Sequence, residues 1–377
     1  GIALALSVCS SAEPAVGRPA RPTKAAEAAR PMLLANYYAW YHTGDHPSDP
    51  WALWTRKEAA ENVAAKAAQR PGEPPLATVA YPLIGLYDSA DPEIAEWHVK
   101  LAQSAGIDAF LIDWWGTHKQ RDRNLEQGIL AAAAKHGFEV ALLDERAQYH
   151  NDFQWYKDSV VRALGKYKDL PIYLRIDGRP VLYLYQVAGT ATLTPAKFAE
   201  LKQYVEAKTG PIYWIVDKIA HDHQAQRAGA PDRVKCIPKP WLETPGIDAF
   251  AFYSTFSNFR AHRYEDLKGK FRYMTQLAHD AGKKMLLPVH PGHDNSHFRT
   301  DPYVMPRGDG RTLRDYLRAA TEAEADVIMV TSWNEWPETT VVEPSRTWPD
   351  PYLYLRILAE WKGRTFVPPP LPTRLQT

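Results

Sequence analysis

Two carboxylates three residues apart, Glu335 and Glu338, sit in the stretch Val327–Pro344. There the apolar run Val327-Ile328-Met329-Val330 leads into Thr331-Ser332-Trp333-Asn334-Glu335-Trp336-Pro337-Glu338. A glycosidic bond breaks when one carboxyl group protonates the leaving oxygen while a second, ionised one serves as base or nucleophile. Two Glu in one short turn acquire unlike proton affinities through repulsion and unequal burial. Trp333 and Trp336, set beside charged groups, offer flat faces for stacking on a sugar. The competing reading places the Glu side chains on a solvated loop or against a neighbouring Arg or Lys.

Other groups have chemistry-bearing spacing. His290-Pro291-Gly292-His293-Asp294-Asn295-Ser296-His297 has the spacing of a divalent-metal site, or of a loop that hydrogen-bonds sugar hydroxyls. Trp114 and Trp115 are adjacent on a strand, so one faces the mouth and the other the helix layer unless both are core. Asp113 at the same strand end needs partners if buried. Asp144-Glu145-Arg146 reads either as a self-neutralising cluster or as substrate contacts. There is no Gly-x-Ser-x-Gly motif, which leaves serine-esterase chemistry without support.

Positioning these groups requires strands that end at one face. Apolar runs predict strands at Met32–Tyr41, Ile107–Trp115, Glu139–Glu145, Val181–Tyr185, Ile212–Asp217, Ile247–Ser254, Lys284–His290 and Asp326–Trp333. Helices alternate with them: one opened by Asp91-Pro92 and stopped by Gly106, then Gln120–His136, one within Asp152–Lys166, and one capped by Thr194-Pro195. Tyr264–Ala281, Thr312–Ala325 and Tyr352–Lys362 complete the set. Eight such units predict an α/β fold, a single (β/α)8 TIM barrel with a long insertion, His42–Ala90, after the first strand. An open doubly wound sheet is the alternative, weakened by the lack of a Gly-rich turn after the first strand. Polar and aromatic residues gather at the C-terminal strand ends, where barrel chemistry sits. They are Tyr37, Tyr38 and Trp40; Asp113, Trp114 and Trp115; Asp144, Glu145 and Arg146; Tyr185 and Gln186; Asp217 and Lys218; Tyr253 and Ser254; His290, His293 and Asp294; and Asn334 with the Glu pair. Glu335 and Glu338 are the candidate catalytic residues. The candidate substrate contacts come from the strand-end set, together with Trp333 and Trp336.

The chain has 377 residues, with 45 basic against 44 acidic side chains, so no charge excess points to nucleic acid or an anionic membrane. Thirteen Trp and 20 Tyr suit either a carbohydrate cleft or an aromatic core. Two cysteines, Cys9 and Cys236, make neither a disulfide framework nor a zinc site. Gly1–Cys9 looks like the end of a signal peptide's apolar region, with Cys9 a candidate lipid anchor. Residues 1–30 read as that remnant and an Ala/Pro-rich linker, 31–363 as the barrel, and 364–377 as a Pro-rich tail.

Several stretches resemble glycoside hydrolase family 99, the endo-α-mannosidases and endo-α-mannanases, with the family 71 α-glucanases as its relatives. They are Asn36-Tyr37-Tyr38-Ala39-Trp40-Tyr41, Tyr87-Asp88-Ser89, Ala105-Gly106-Ile107-Asp108-Ala109-Phe110, Trp114-Trp115-Gly116, Pro288-Val289-His290-Pro291-Gly292-His293 and Thr331–Glu338, in order over roughly Leu33 to Leu358. The resemblance implies a barrel and metal-free, retaining cleavage of an α-linked glycan, in which the sugar's own 2-hydroxyl attacks to form a 1,2-anhydro sugar. It implies that Glu335 deprotonates that hydroxyl, that Glu338 acts as acid and then as base, and that Asn334, Trp114 and Trp115 shape the subsites. The sequence departs from the family at Trp336-Pro337-Glu338-Thr339, where Trp-His-Glu-Gly is usual, and at Leu143-Asp144-Glu145-Arg146, in place of His-Ile-Glu-Pro-Tyr. Both departures fall where the substrate is set.

The expectation is a secreted, periplasmic or cell-surface glycoside hydrolase acting on a mannan-like glycan. It is expected to be a monomer with no cofactor, no metal and no transmembrane span. Two alternatives stand beside it: a non-catalytic carbohydrate-binding barrel, and a metal-dependent hydrolase using His290, His293, Asp294 and His297.

Overall fold

The computed structural model describes residues 30–44, 51–116, 119–148, 152–185, 193–217, 220–221, 235–253 and 264–373. Cys9, the linker, Gln186, Lys218 and Ser254 lie outside them. Eight parallel strands form the barrel: β1 Met32–Tyr37, β2 Ala109–Trp114, β3 Glu139–Asp144, β4 Arg179–Leu184, β5 Tyr213–Asp217, β6 Ala249–Ala251, β7 Lys284–Val289 and β8 Val327–Val330. The ring closes because β1 pairs with β8, Met32 opposite Val327, and β3 pairs with β4, Leu142 opposite Leu182. Strands covered on both faces must be apolar throughout, and β8 is buried at every position.

The helices are α1 Pro92–Ala105, α2, α3 Phe153–Tyr167, α4 Pro195–Thr209, the short α5 Lys239–Leu242, α6 Tyr264–Asp280, α7 Arg311–Glu322 and α8 Leu353–Trp361. α2 runs Lys119–Asn124 and Ala131–His136, with a π-helical Leu125–Leu130 between. Their ends follow local chemistry. The Asp91 carboxylate accepts from the Glu93 amide at 2.9 Å, and Gly106 ends α1 in the left-handed region at φ +79°. At Gly128 a Cβ would lie 2.2 Å from the Ser89 carbonyl oxygen, so only glycine lets α2 touch the insertion there.

Most expected strands are shorter than their apolar patterns; Ile247–Ser254 keeps only Ala249–Ala251 as β6, and the ends of β1 and β8 have identifiable causes. β1 stops at Tyr37 rather than Tyr41, because the Tyr38 backbone bonds to the Asn334 side chain instead of a strand. β8 stops at Val330, because the Ser332 amide turns back to the Thr340 carbonyl at 2.9 Å. The described part of the insertion, from residue 51, is built onto the barrel mouth. It carries helical turns Lys57–Glu61 and Val63–Ala67. Phe298, from the loop after β7, is buried among Ala59, Ala65 and Ala77. The Asn62 amide donates to the Ser296 carbonyl at 2.9 Å. Farther along, the Leu83 amide donates to the Pro344 carbonyl at 2.8 Å. No helix among the described residues is long and apolar enough to cross a membrane.

Candidate active site

The segment from Thr331 to Glu343 leaves β8 as a tight loop held on every side. Asn334 is its main fastener. Its amide oxygen accepts from the Tyr38 amide at 2.8 Å, and its NH2 donates to the Tyr38 carbonyl at 2.9 Å and to the Tyr87 hydroxyl at 3.1 Å. The Tyr41 hydroxyl donates to the Asn334 carbonyl at 2.7 Å and accepts from the Trp336 amide at 3.0 Å. Ser332 Oγ accepts from the Glu335 amide at 2.7 Å. Arg307 donates to the Thr339 and Val341 carbonyls, and the Asp294 amide donates to the Glu338 carbonyl. A loop with its backbone groups so fully used presents its side chains in one arrangement.

Those side chains meet two carboxyl groups from other strands. Asp113 comes from the end of β2, and Glu145 follows β3. Each of Asp113, Glu145, Glu335 and Glu338 keeps one buried carboxyl oxygen with no hydrogen-bond partner in the protein. Four carboxyl groups close enough to raise one another's proton affinity cannot all ionise. Burial, then the charge of Asp113, pushes Glu145 up to about 10. Burial pushes Asp113 up to about 8, although the Trp115 indole N–H bonded to it at 2.5 Å and Arg121 pull it down. Glu335 lies well above the usual carboxylate range through burial and then the charge of Glu338. Burial also raises Glu338, against the pull of Arg299 and Arg56. Burial and mutual repulsion thus raise both members of the pair, so the two do not ionise together. Tyr38, Tyr185 and Tyr253 line the cluster, their hydroxyls kept protonated by burial and by these carboxylates. Tyr38 and Tyr253 share a hydrogen bond of 2.5 Å, and the Tyr185 and Tyr253 rings meet edge to face at 5.0 Å. Trp40 stacks on Tyr38 at 4.5 Å and approaches Trp115, which lines a small hollow with Asp113 and Arg121. The arrangement suits an acid and a base acting on one hydroxyl-rich ligand.

Other expected contacts are structural. Trp333 and Trp336 are fully buried and present no face to a sugar. Trp333 packs against Phe110 at 5.1 Å, and Trp336 against Trp54 at 6.2 Å. Tyr37 points into the core, its hydroxyl 3.2 Å from His98 Nδ1. Trp114 is buried while Trp115 is half-buried, the opposite facing that adjacent strand positions require. Asn334 spends its amide on protein partners, and Asp144 is fully buried, bonded to the Tyr156 hydroxyl at 2.6 Å and the Arg146 amide. The metal reading of the loop after β7 fails on geometry. His290 Nδ1 faces the Thr331 carbonyl, His297 Nδ1 faces the Leu76 carbonyl, and Asp294 accepts from the Ser296 amide. Among the described residues no group of three His, Cys, Asp or Glu side chains is placed to hold a metal ion.

Beneath the turn lies a network that sequence reasoning missed. Glu343 is fully buried and accepts from the Tyr87 hydroxyl at 2.8 Å and the Trp336 indole at 2.9 Å, with His98 Nε2 at 3.1 Å. His98 carried only the signal of a helical apolar face, and Glu343 looked like any carboxylate near a Pro. Arg56, Arg121 and Arg299 were missed as well, since a single Arg on a loop or at the start of a helix has no distinguishing spacing.

Comparison with known proteins identifies the family and the fold. The model of glycosyl hydrolase family 99 matches residues 30–357. The chain is 23% identical over 369 residues to the glycoprotein endo-alpha-1,2-mannosidase of Mus musculus, covering 88% of this chain and 74% of that one. It is 23% identical over 370 residues to the glycoprotein endo-alpha-1,2-mannosidase-like protein of Homo sapiens, covering 87% and 74%. The fold matches the GH99 endo-alpha-mannosidase structure from Bacteroides thetaiotaomicron with a TM-score of 0.69 at 22% identity, over 88% of this chain and 96% of that one.

Proposed function

The chain belongs to glycosyl hydrolase family 99 and is a glycoside hydrolase acting on α-linked glycans, and from that premise we propose that Glu335 and Glu338 cleave a mannan-like glycan with retention of configuration. The observation that carries this is the pair of unlike carboxyl groups at the mouth of β8, Glu335 buried and Glu338 half-buried, each with an oxygen unbonded within the protein.

In the first step Glu335 removes the proton of the sugar's 2-hydroxyl. That oxygen bonds to C1 as the C1–leaving-oxygen bond breaks, and Glu338 protonates the departing oxygen. The product is a 1,2-anhydro sugar. In the second step Glu338, now ionised, takes a proton from water, whose oxygen bonds to C1. The C1–O2 bond breaks and Glu335 returns the proton to O2. Two inversions at C1 give retention.

Burial and mutual repulsion raise both acids, so one of the pair keeps a proton. A 2-hydroxyl donating to Glu335 stabilises its carboxylate, and a glycosidic oxygen beside Glu338 favours the protonated carboxyl there. Substrate binding thereby favours the ionised form of Glu335 and the protonated form of Glu338.

Glu335→Gln and Glu338→Gln are expected to lower kcat by about 10²–10⁴-fold. NMR of the first product formed by wild type should show the α-anomer before mutarotation. Turnover at the wild-type rate by both variants, or release of the β-anomer, would defeat the proposal.

A further inference from the structure

Three guanidinium groups stand near the carboxylate cluster, on the insertion after β1, at the start of α2 and on the loop after β7. Arg56 and Arg299 both stack on Phe298, with their guanidinium carbons 5.1 and 4.8 Å from the ring centre. Arg121 lies 5.1 Å from the ring centre of Trp115 across the cleft. Among the described residues none of the three forms an ion pair with a carboxylate, although ion pairs are common elsewhere on the surface. Arg56 also has a buried Nε with no hydrogen-bond partner.

The placement of Arg56 and Arg299 is built into the fold. Phe298 sits in the small apolar core with Ala59, Ala65 and Ala77. That core and the Asn62–Ser296 hydrogen bond clamp the insertion to the loop after β7. A guanidinium stacked on a fixed ring loses little further freedom on binding and keeps its N–H edges free for an oxyanion. Both groups are close enough to Glu335 and Glu338 to act on their charge.

We infer that the glycan cleaved here carries an anionic substituent, a sulfate, phosphate or carboxylate, which Arg56 and Arg299 bind beside the scissile bond while Arg121 supplies positive charge across the cleft. The inference rests on the reading of this cleft as a glycosidase site. If the arginines served only to neutralise the acids, they would face ionised carboxylates. Instead Arg56 and Arg299 are stacked on Phe298, acting on Glu335 and Glu338 only at a distance and, among the described residues, pairing with neither, so their N–H edges and charge remain for a further anion. A neutral sugar would leave that charge without use.

The test compares a neutral α-mannan oligosaccharide with its sulfated, phosphorylated and uronate-bearing forms. Binding is measured calorimetrically on Glu335→Gln protein, and kcat/KM on wild type. At least one anionic form should be preferred by about tenfold or more, and added salt should erode the preference. Arg56→Gln and Arg299→Gln should collapse the ratio of anionic to neutral kcat/KM towards one, while the Lys variants should retain part of it. A role confined to the acids would shift the pH–rate profile for both substrates alike and leave the ratio in place. Equal binding of neutral and anionic forms, or a preference that survives in both Gln variants, overturns the inference. Arginine-dependent binding without cleavage of any form would sink the hydrolytic roles of the Glu pair and leave the inference standing. Cleavage of neutral glycan with no anionic preference would do the reverse. The form preferred identifies the substituent.

Discussion

Trp336 donates its indole N–H to Glu343 at 2.9 Å, so the residue between the two candidate acids is gripped from below by a third carboxylate. Glu343 also accepts from Tyr87, which in turn accepts from Asn334. The turn that carries Glu335 and Glu338 is therefore registered against β1, the insertion and α1 at once.

Truncating Glu343 removes the acceptor for several buried donors at once. Glu343→Ala is expected to destabilise the protein by about 3–5 kcal/mol, since buried polar groups left unpaired are costly. Glu343→Gln, which keeps the shape and one acceptor, should lose less stability and still lower kcat more than it raises KM. Denaturant unfolding and steady-state kinetics check this. A Glu343→Ala protein of wild-type stability would show that the network is not holding the turn.

The raised carboxyl groups make stability depend on pH in a defined direction. Asp113 titrates at about 8 in the fold against an ordinary value of 3.8. Between those values the folded state holds a proton that the unfolded chain has released. Unfolding then frees protons, and stability from this group falls as pH rises. Asp113→Asn should therefore gain stability relative to wild type as pH is raised from about 5 to about 9. Urea unfolding of both proteins at several pH values reads the difference. A gap that is constant or shrinks over that range contradicts the raised value.

The tryptophans near the turn divide into core and cleft. Trp333→Ala should cost about 3–5 kcal/mol, because it empties a fully buried volume beside Phe110 and His98. Trp115→Ala should cost on the order of 1 kcal/mol, since that ring is half-buried at the mouth. Its effect should appear mainly as a KM raised about tenfold, the signature of lost ground-state binding. Thermal melts beside kinetics separate the two; a Trp115→Ala enzyme with unchanged KM would remove that ring from the cleft.

Much of the barrel was readable before any coordinates, and for a plain reason. A strand buried on both faces must be a short apolar run, and a helix outside it must repeat its apolar residues every three or four positions. Asp91-Pro92 and Gly106 mark the ends of α1 through local backbone chemistry alone. The ends of β1 and β8 were not readable, because the groups that stop them, Asn334 and Thr340, act across long sequence separation or through a turn.

The sequence by itself determined the order of strands and helices, and that acids and aromatics would gather at one end of them. This follows because periodicity and capping depend on near neighbours in the chain. Tertiary structure decided which of those residues meet a ligand. Trp333 and Trp115 are the same amino acid, each within three residues of a strand's C-terminal end, yet one is core and the other lines a hollow with Asp113 and Arg121. The same holds for Glu343 and Glu335, eight positions apart. One has its oxygens bonded to Tyr87, Trp336 and His98, while the other keeps a buried oxygen unbonded. Burial and partnership are properties of what folds over a residue from distant parts of the chain, and no local pattern encodes them.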